Sequence, residues 1–205
     1  MKTPLKAIGL LGTLKPQGTM PSNTEELLNQ VFGELTKQGA ETEVVRLIDH
    51  DIKHGLATDM GDAWPDILKK ITEADIVVFA TPIWWGQPSS LIQKIIERMD
   101  EVDNGYMMTG TSPLLHKVGG IVVTGHEDGV QHVVGTIANA LTWYGLTLPP
   151  ESVAYWVGEA GPPMDKDAEK RQKNMATNMM IMTMARNLYR YATLIKENKA
   201  FLLEK

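Results

Sequence analysis

The sequence lacks cysteine entirely, and it also lacks an excess of basic residues and any long apolar run. Without cysteine it forms no disulfide, no thiolate zinc site, no cysteine-ligated iron–sulfur cluster and no cysteine nucleophile. Lys and Arg number 20 against 25 Asp and Glu, a net charge of −5 that argues against non-specific nucleic-acid binding. No stretch approaches the roughly 18 apolar residues of a membrane span. We therefore expect a cytoplasmic protein with no membrane or nucleic-acid partner.

Short apolar runs rich in β-branched residues alternate with amphipathic segments along 205 residues, a length that fits one domain. Runs without polar alternation are typical of strands buried on both faces of a parallel sheet. The predicted strands are residues 5–12, 43–48, 75–80, 118–124 and 153–157. The predicted helices are residues 23–37, 62–73, 89–102, 130–144 and 165–197. Five strand–helix repeats predict a doubly wound α/β domain.

Three loops follow predicted strands and precede predicted helices, which is where open parallel sheets bind ligands. The first, residues 12–24 (GTLKPQGTMPSNT), has neither the triphosphate P-loop pattern nor the dinucleotide glycine pattern. Its hydroxyls and amides at a helix N-terminus suit one terminal phosphate. The alternative is a plain capping turn, in which Ser22 or Asn23 satisfies the helix amides.

The second loop, residues 81–90 (TPIWWGQPSS), places two adjacent tryptophans between two prolines. Neighbouring residues do not easily face the same interior, so one interpretation is an aromatic wall for a planar ring. The alternative is that one tryptophan packs inward while the other lies at a subunit interface.

The third loop, residues 124–129 (TGHEDG), carries glycines on both sides of His126 that permit close backbone approach to a ligand. A polar loop of this kind would meet the carbonyls and ring nitrogens of a heterocycle, whereas the alternative is a tight turn with a solvated histidine. Taken together, the three loops describe a site for a mononucleotide with a large flat ring, and flavin mononucleotide (FMN) fits that description.

Residues 80–99 (ATPIWWGQPSSLIQKIIERM) carry the strongest match to a known family. The segment resembles the T-P-[IV]-Y-W-G-x-P-S motif of the flavodoxin-like NAD(P)H-dependent FMN reductases and quinone reductases. The resemblance runs from the first strand to about Gly161. It implies a flavodoxin-like, doubly wound five-stranded parallel sheet of order 2-1-3-4-5, with helices on both faces, in one FMN-binding domain spanning residues 1–205.

The resemblance also implies which residues contact the cofactor. The FMN phosphate would be held by Thr13, Ser22, Asn23 and Thr24. The isoalloxazine ring would be lined by Pro82, Ile83, Trp84, Trp85 and Gly86. Its far edge would meet Thr124, Gly125, His126, Asp128 and Gly129. His126 is the candidate catalytic residue, because its imidazole would hydrogen-bond the ring or the substrate.

Two features depart from the family pattern. The first loop is longer than the usual form by residues 15–20. Residues 50–55 (HDIKHG) contain none of the cysteines that some relatives use to bind an iron–sulfur cluster after the second strand. His50 and His54 have the i, i+4 spacing of a zinc motif, but a zinc motif needs a helix and a third ligand. We predict a loop there and no metal site.

The C-terminal helix is rich in methionine, and Met175, Met179 and Met182 share one face by their spacing. Packing of this face against the sheet is the simpler prediction. Met180 and Met184 extend the apolar band, so a homodimer or homotetramer contact is the alternative.

The leading functional hypothesis is an FMN-dependent oxidoreductase that takes hydride from NADH or NADPH. The flavin would pass it to a small-molecule acceptor: a quinone, a nitro compound or another flavin. The alternative is a flavodoxin-type electron carrier without a substrate of its own. Such carriers dock to redox partners through a dense acidic surface, and a net charge of −5 is small for that purpose. A third possibility keeps the fold as a flavin-binding regulatory module.

Overall fold

The computed structural model describes residues 3–158 and 168–203. Its strands are β1 (Lys6–Leu11), β2 (Glu41–Arg46), β3 (Ile76–Trp84), β4 (Gln87–Pro88), β5 (Val118–Gly125) and β6 (Val153–Val157). The long strands are all parallel and lie in the order β2-β1-β3-β5-β6, while the two-residue β4 pairs antiparallel with β3. Counted among themselves, the five long strands have the predicted order 2-1-3-4-5, which is confirmed.

The central strands are buried along nearly their whole length. β5 is buried at all eight positions, and β3 at every position but its last, Trp84. Such strands need helices on both faces, and the sequence supplies continuous apolar runs rather than alternation. This explains why the apolar runs were sufficient to predict a parallel sheet.

The helices are α1 (Asn23–Lys37), α2 (Trp64–Glu73), α3 (Ser90–Arg98), α4 (Asp100–Thr109), α5 (Val130–Trp143), α6 (Ala168–Lys173), α7 (Met175–Glu197) and α8 (Lys199–Leu203). α1 and α7 cover one face of the sheet, and α2, α3 and α5 cover the other. None of the helices in the two described ranges is long and apolar enough to cross a lipid bilayer.

The helix predicted over residues 89–102 is wrong in its bounds. α3 ends at Arg98, and a separate helix, α4, runs on to Thr109, with Met99 at the junction. α4 buries none of its residues and ends at Gly110 in a left-handed conformation. Its weak apolar pattern gave no signal of a helix, whereas the acidic first turn complements the helix dipole.

The single C-terminal helix predicted over residues 165–197 is also divided. Asn174 caps α7, its side chain accepting the backbone N–H of Thr177 at 2.9 Å, so α6 and α7 are separate helices. Residues 165–167 lie outside the described residues. The predicted packing of one methionine face against the sheet is wrong, because that face is exposed: Met175, Met179 and Met182. The buried face of α7 instead carries Ile181, Met184, Ala185 and Leu188.

Candidate functional site

A cleft of about 360 Å³ lies beyond the carboxyl ends of β1, β3 and β5. This is the point at which the strand order reverses, since the chain adds β2 on one side of β1 and then β3 on the other. The three loops singled out in the sequence meet here. Of the predicted residues, those that line the cleft are Thr13, Ser22, Asn23, Thr24, Pro82, Ile83, Trp84, Trp85, Gly125 and His126.

Four predicted residues do not line the cleft: Gly86, Thr124, Asp128 and Gly129. Three further residues line it that the sequence reasoning did not select: Leu14, Lys15 and Glu127. Leu14 and Lys15 lie in the first loop, where candidates were chosen for hydroxyl or amide groups, which neither side chain has. Glu127 lies directly between two selected residues, so the polar character of that loop was the available signal.

One end of the cleft, which we call the hydroxyl end, is formed by Thr13, Ser22, Asn23 and Thr24, all of them buried. Ser22 is the N-cap of α1: its hydroxyl accepts the backbone N–H of Glu25 at 3.3 Å. The capping interpretation is therefore confirmed for Ser22. Because Asn23 and Thr24 open the helix beside the cleft, the positive end of the α1 dipole faces the cavity.

Arg46 holds the extended first loop in place. Its guanidinium donates to the backbone carbonyl of Lys15 at 2.7 Å and pairs with the carboxylates of Glu25 and Asp49. Asp49 in turn accepts the backbone N–H of Gln17 at 3.2 Å. The first loop is thus tied at Lys15 and Gln17 to the end of β2 and to the 3₁₀ turn that follows it (Leu47–Asp49).

Lys15 brings a positive charge to the hydroxyl end. Its ammonium donates to the carbonyl of Pro21 at 2.6 Å, across the base of the loop. The loop is therefore closed by a cationic side chain that also lines the cleft. A hydroxyl-rich helix N-terminus with one ammonium nearby is chemically suited to a phosphate group.

The cleft is also lined by a two-residue hairpin between β3 and β4, which we call the aromatic hairpin (residues 83–88). Its turn residues, Trp85 and Gly86, have φ angles of 51° and 73°. Both are left-handed, as a type I′ turn requires, and a bulky residue at such a position is strained. Trp84 is 48% exposed and Trp85 is 88% exposed, so the alternative in which one tryptophan packs inward is wrong.

A buried threonine stabilises the base of the aromatic hairpin through two hydrogen bonds. The Thr81 hydroxyl donates to the carbonyl of Pro82 at 2.9 Å and accepts the backbone N–H of Ser89 at 2.9 Å. Ser89 then caps α3 by accepting the N–H of Ile92. The strained turn is thus carried on a rigid base, which is how backbone strain persists at a site.

The tip of the aromatic hairpin contacts the loop after β5. A Cβ on Gly129, which has a φ of 130°, would lie 2.8 Å from the Cα of Gly86. The Gly86 N–H donates to the Glu127 carboxylate at 3.4 Å. The absence of a side chain at Gly129 therefore allows the two loops to touch, whereas a Cβ on Gly86 would meet nothing within 4 Å and that glycine instead suits the left-handed turn.

Thr124 and His126, both in the third loop region, occupy different environments. Thr124 is fully buried, and its Oγ1 lies 2.6 Å from the Oγ1 of Thr24. His126 is partly buried and lines the cleft, whereas Asp128 is exposed outside it. The structure thus connects the end of β5 to the hydroxyl end of the cleft through a hydroxyl pair.

The loop after β2 is held by an arginine. Arg98, fully buried, donates to the carbonyls of Gly55 and Thr58 and to the carboxylate of Asp62, and lies over the ring of Trp64. Within residues 3–158 and 168–203, no group of three or more metal-ligating His, Asp or Glu side chains comes together. His50 and His54 lie in a loop, as predicted.

Two ionisable groups with displaced pKa values lie away from the cleft. Burial lowers the pKa of Lys117 to about 8, and its ammonium donates to the carbonyls of Thr72 and Ala74. Burial, with Asp100 and Asp103 nearby, raises the pKa of Tyr144 to about 12. Lys117 precedes β5, at the end of the sheet opposite the cleft, so its charge does not act on a ligand there.

A doubly wound sheet whose switch-point cleft is lined by hydroxyls and by exposed aromatic side chains is the arrangement of a flavodoxin-like fold. The model of the NADPH-dependent FMN reductase family matches residues 5–160, and the chain belongs to that family of flavoproteins. The resemblance inferred from residues 80–99 is therefore confirmed.

The chain is 37% identical over 204 residues to the 8-demethyl-8-aminoriboflavin-5′-phosphate synthase of Streptomyces davaonensis, covering 94% of this chain and 79% of that relative. It superposes with a TM-score of 0.83, at 35% identity, on the crystal structure of RosB with a bound 8-demethyl-8-formylriboflavin-5′-phosphate intermediate, covering 94% of this chain and 81% of that one. An iron–sulfur flavoprotein of Methanocaldococcus jannaschii is 28% identical over 130 residues, covering 59% of this chain and 62% of that relative. With no cysteine, this chain has no thiolate with which to bind such a cluster.

Proposed function

We propose that the protein is an FMN-dependent NAD(P)H oxidoreductase that passes hydride through the flavin to a small-molecule acceptor, either a quinone, a nitro compound or a second flavin. The observation that carries the proposal is the cleft itself. Its hydroxyl end and its aromatic hairpin line one cavity, which matches a ligand that carries both a phosphate and a flat ring. FMN is such a ligand.

The hydroxyl end fits the phosphate by its donor set. Thr13, Asn23 and Thr24 bring polar groups to the N-terminus of α1, and the dipole of that helix favours negative charge. The Lys15 ammonium adds one full positive charge, and its bond to Pro21 keeps the loop closed. These groups would bind a phosphate dianion without the basic cluster that nucleic acids require.

The aromatic hairpin fits the ring by its exposure. Trp84 and Trp85 offer large apolar faces on which a planar ring stacks, and Ile83 supplies an apolar surface at the base. FMN, when bound, would supply the hydride chemistry, while the protein fixes the ring and limits access of water. His126 would hydrogen-bond the ring or the incoming substrate from the third loop.

A second candidate function has a specific observation in its favour. The 37% identity to a flavin-modifying synthase extends over 94% of this chain, so the same cleft could hold FMN as a substrate whose ring substituent is changed. In that case the flavin would leave the protein altered, rather than remain as a cofactor. The two functions share the binding site and differ in the fate of the flavin.

The experiment that separates the functions starts from purified protein reconstituted with FMN under anaerobic conditions. For the proposed oxidoreductase, NADH or NADPH should bleach the bound flavin, and a quinone should restore its colour over many turnovers. Bleaching that no small acceptor reverses would favour the electron carrier instead. Mass spectrometry of the recovered flavin tests the second candidate, since unchanged FMN excludes modification under those conditions. A protein that takes up no FMN would contradict all three.

Self-association remains part of the proposal. The exposed methionine face of α7 (Met175, Met179 and Met182) is an apolar surface of the kind that subunit contacts bury. Sedimentation of the purified protein should then give a mass that rises with concentration to a dimer or a tetramer. A monomer mass independent of concentration would contradict it.

A further inference from the structure

The buried hydroxyl pair behind the cleft joins two residues that are 100 positions apart in the sequence. Thr24 lies in the first turn of α1, and Thr124 lies near the carboxyl end of β5. Their Oγ1 atoms are 2.6 Å apart, and the two residues are 2% and 0% exposed. Thr24 lines the cleft, whereas Thr124 does not.

The pair has two orientations, since either hydroxyl can donate to the other. A hydroxyl has one proton to donate, so a threonine that donates across the pair has none left for a ligand. A phosphate dianion, by contrast, offers only acceptor oxygens. An anion beside Thr24 therefore favours the orientation in which Thr124 donates to Thr24 and Thr24 donates to the anion.

We propose that Thr124 is a positioning residue for phosphate recognition, acting through Thr24. It rests on the proposed function, in which the hydroxyl end receives the phosphate of FMN. By donating to the oxygen of Thr24, Thr124 fixes the direction of the Thr24 proton toward the cleft and strengthens the bond that Thr24 donates, as in a hydrogen-bonded chain. The site thereby favours a flavin that ends in a phosphate over one that ends in a hydroxyl.

This role differs from the one that the family resemblance implied, which put Thr124 at the far edge of the ring. The two assignments make different predictions. A residue at the ring contributes equally to FMN and riboflavin, because both carry the same isoalloxazine. A residue that acts through Thr24 contributes to FMN alone, because riboflavin has no phosphate.

The test titrates apoprotein with FMN and with riboflavin, following flavin fluorescence. Thr124→Val keeps the shape of the side chain and removes the donor, and we expect it to weaken FMN binding by about threefold to tenfold. Riboflavin binding should change by less than about twofold, because it lacks the anion that the oriented pair serves. Thr124→Ser, which keeps the hydroxyl, should retain most of the affinity for FMN.

A double-mutant cycle tests whether Thr124 acts through Thr24. Thr24→Val should weaken FMN binding more than Thr124→Val does, and the double variant should bind no more weakly than Thr24→Val alone. Thr177→Val is the matched control: Thr177 is also buried, but its hydroxyl faces the carbonyl of Tyr155 under α7. The Thr177→Val variant should bind both flavins with the affinity of the unmodified protein.

Equal losses for FMN and riboflavin, additive effects in the cycle, or no loss in Thr124→Val would each overturn the proposal. If Thr124→Val does not fold, Thr124→Ala gives the same comparison, with the melting temperature of the apoprotein reported for every variant. Failure of the proposed function looks different, because the unmodified protein would then bind neither flavin or would bind riboflavin as tightly as FMN.

Discussion

The hydroxyl end of the cleft is buried and internally hydrogen-bonded, whereas the aromatic hairpin that also lines the cleft is exposed and strained. Thr24 and Thr124 are buried and bonded to each other, and Arg46 holds the backbone of the first loop at Lys15. Trp85 is 88% exposed, at a backbone angle that suits glycine or asparagine. The hydroxyl end is therefore fixed by contacts within the protein, whereas the aromatic hairpin leaves two large apolar side chains exposed.

The difference suggests a division of roles. Under the proposed function, the polar end would fix where the terminal phosphate lies, because groups held by contacts within the protein lose little entropy on binding. The exposed aromatic hairpin would remain accessible to a second molecule, which the proposed oxidoreductase would need for its acceptor. The following predictions probe the two ends, from the largest expected effect to the smallest.

Gly129→Ala tests the contact between the aromatic hairpin and the third loop. The new Cβ would lie 2.8 Å from the Cα of Gly86, at a φ that alanine rarely adopts, so the two loops must separate. We expect the free energy of unfolding to fall by about 2–4 kcal/mol, measured by urea denaturation. Gly135→Ala is the control, because it lies in α5 with nothing within 4 Å, and it should stabilise the protein by about 0.5–1 kcal/mol. An equal change in the free energy of unfolding for Gly129→Ala and Gly135→Ala would contradict a steric requirement at Gly129.

Arg46→Met tests how much of the hydroxyl end depends on its anchor. The change removes the donor to the Lys15 carbonyl and the partner of Glu25 and Asp49. We expect a loss of about 1.5–3 kcal/mol in the free energy of unfolding, together with weaker FMN binding and little change for riboflavin. Lys70→Met removes an exposed pair with Glu43 and should cost less than about 1 kcal/mol. If the affinity for riboflavin falls as much as the affinity for FMN, Arg46 supports the whole cleft and not the phosphate-binding part alone.

Trp85→Asn tests the strain in the aromatic hairpin. Asparagine tolerates the left-handed conformation, so we expect the free energy of unfolding to rise by about 0.5–1 kcal/mol. The same change removes an aromatic face, so affinity for both FMN and riboflavin should fall together. Thermal unfolding and flavin titration measure the two effects on one sample. If Trp85→Asn gains no stability, Trp85 is not strained; if the variant keeps its full flavin affinity, the Trp85 ring does not contribute to binding.

Lys117 has the smallest expected effect on flavin binding, because it lies at the end of the sheet away from the cleft. Burial lowers its pKa in the folded state to about 8 from the ordinary 10.5. Between these values the unfolded state binds more protons, so the free energy of unfolding rises with pH across that window. Lys117→Met should remove this rise and leave flavin affinity unchanged. Urea unfolding at several pH values measures it, and identical pH profiles for the two proteins would contradict the assignment.

Much of the fold could be predicted because it depends on local pattern. The apolar run before Thr124 and the run before Thr81 mark strands buried on both faces, and Ser22 marks the start of α1. The boundary at Met99 could not be predicted, because α3 stops and α4 starts there without proline or glycine, and α4 has no buried face to produce a periodic signal.

The site was predictable as three loops but not as a set of contacts. Residue type identified Thr24, Trp85 and His126 as candidates, since hydroxyls, aromatics and imidazoles are the groups that bind such ligands. It could not separate residues that line the cleft from residues that support it. Glu127 lines the cavity and Asp128 next to it does not, and residue type gives no way to tell these two neighbouring carboxylates apart.

The sequence by itself determined the class of sheet, the location of the site at its switch point and the exclusion of thiol chemistry, because each follows from residue type and local order. Only the tertiary structure decided that Thr124 meets Thr24, that Arg46 closes the first loop, and that both tryptophans remain exposed. These contacts join segments that are far apart along the chain. Their geometry depends on strand register and on the packing of the helices, neither of which is encoded in any single segment.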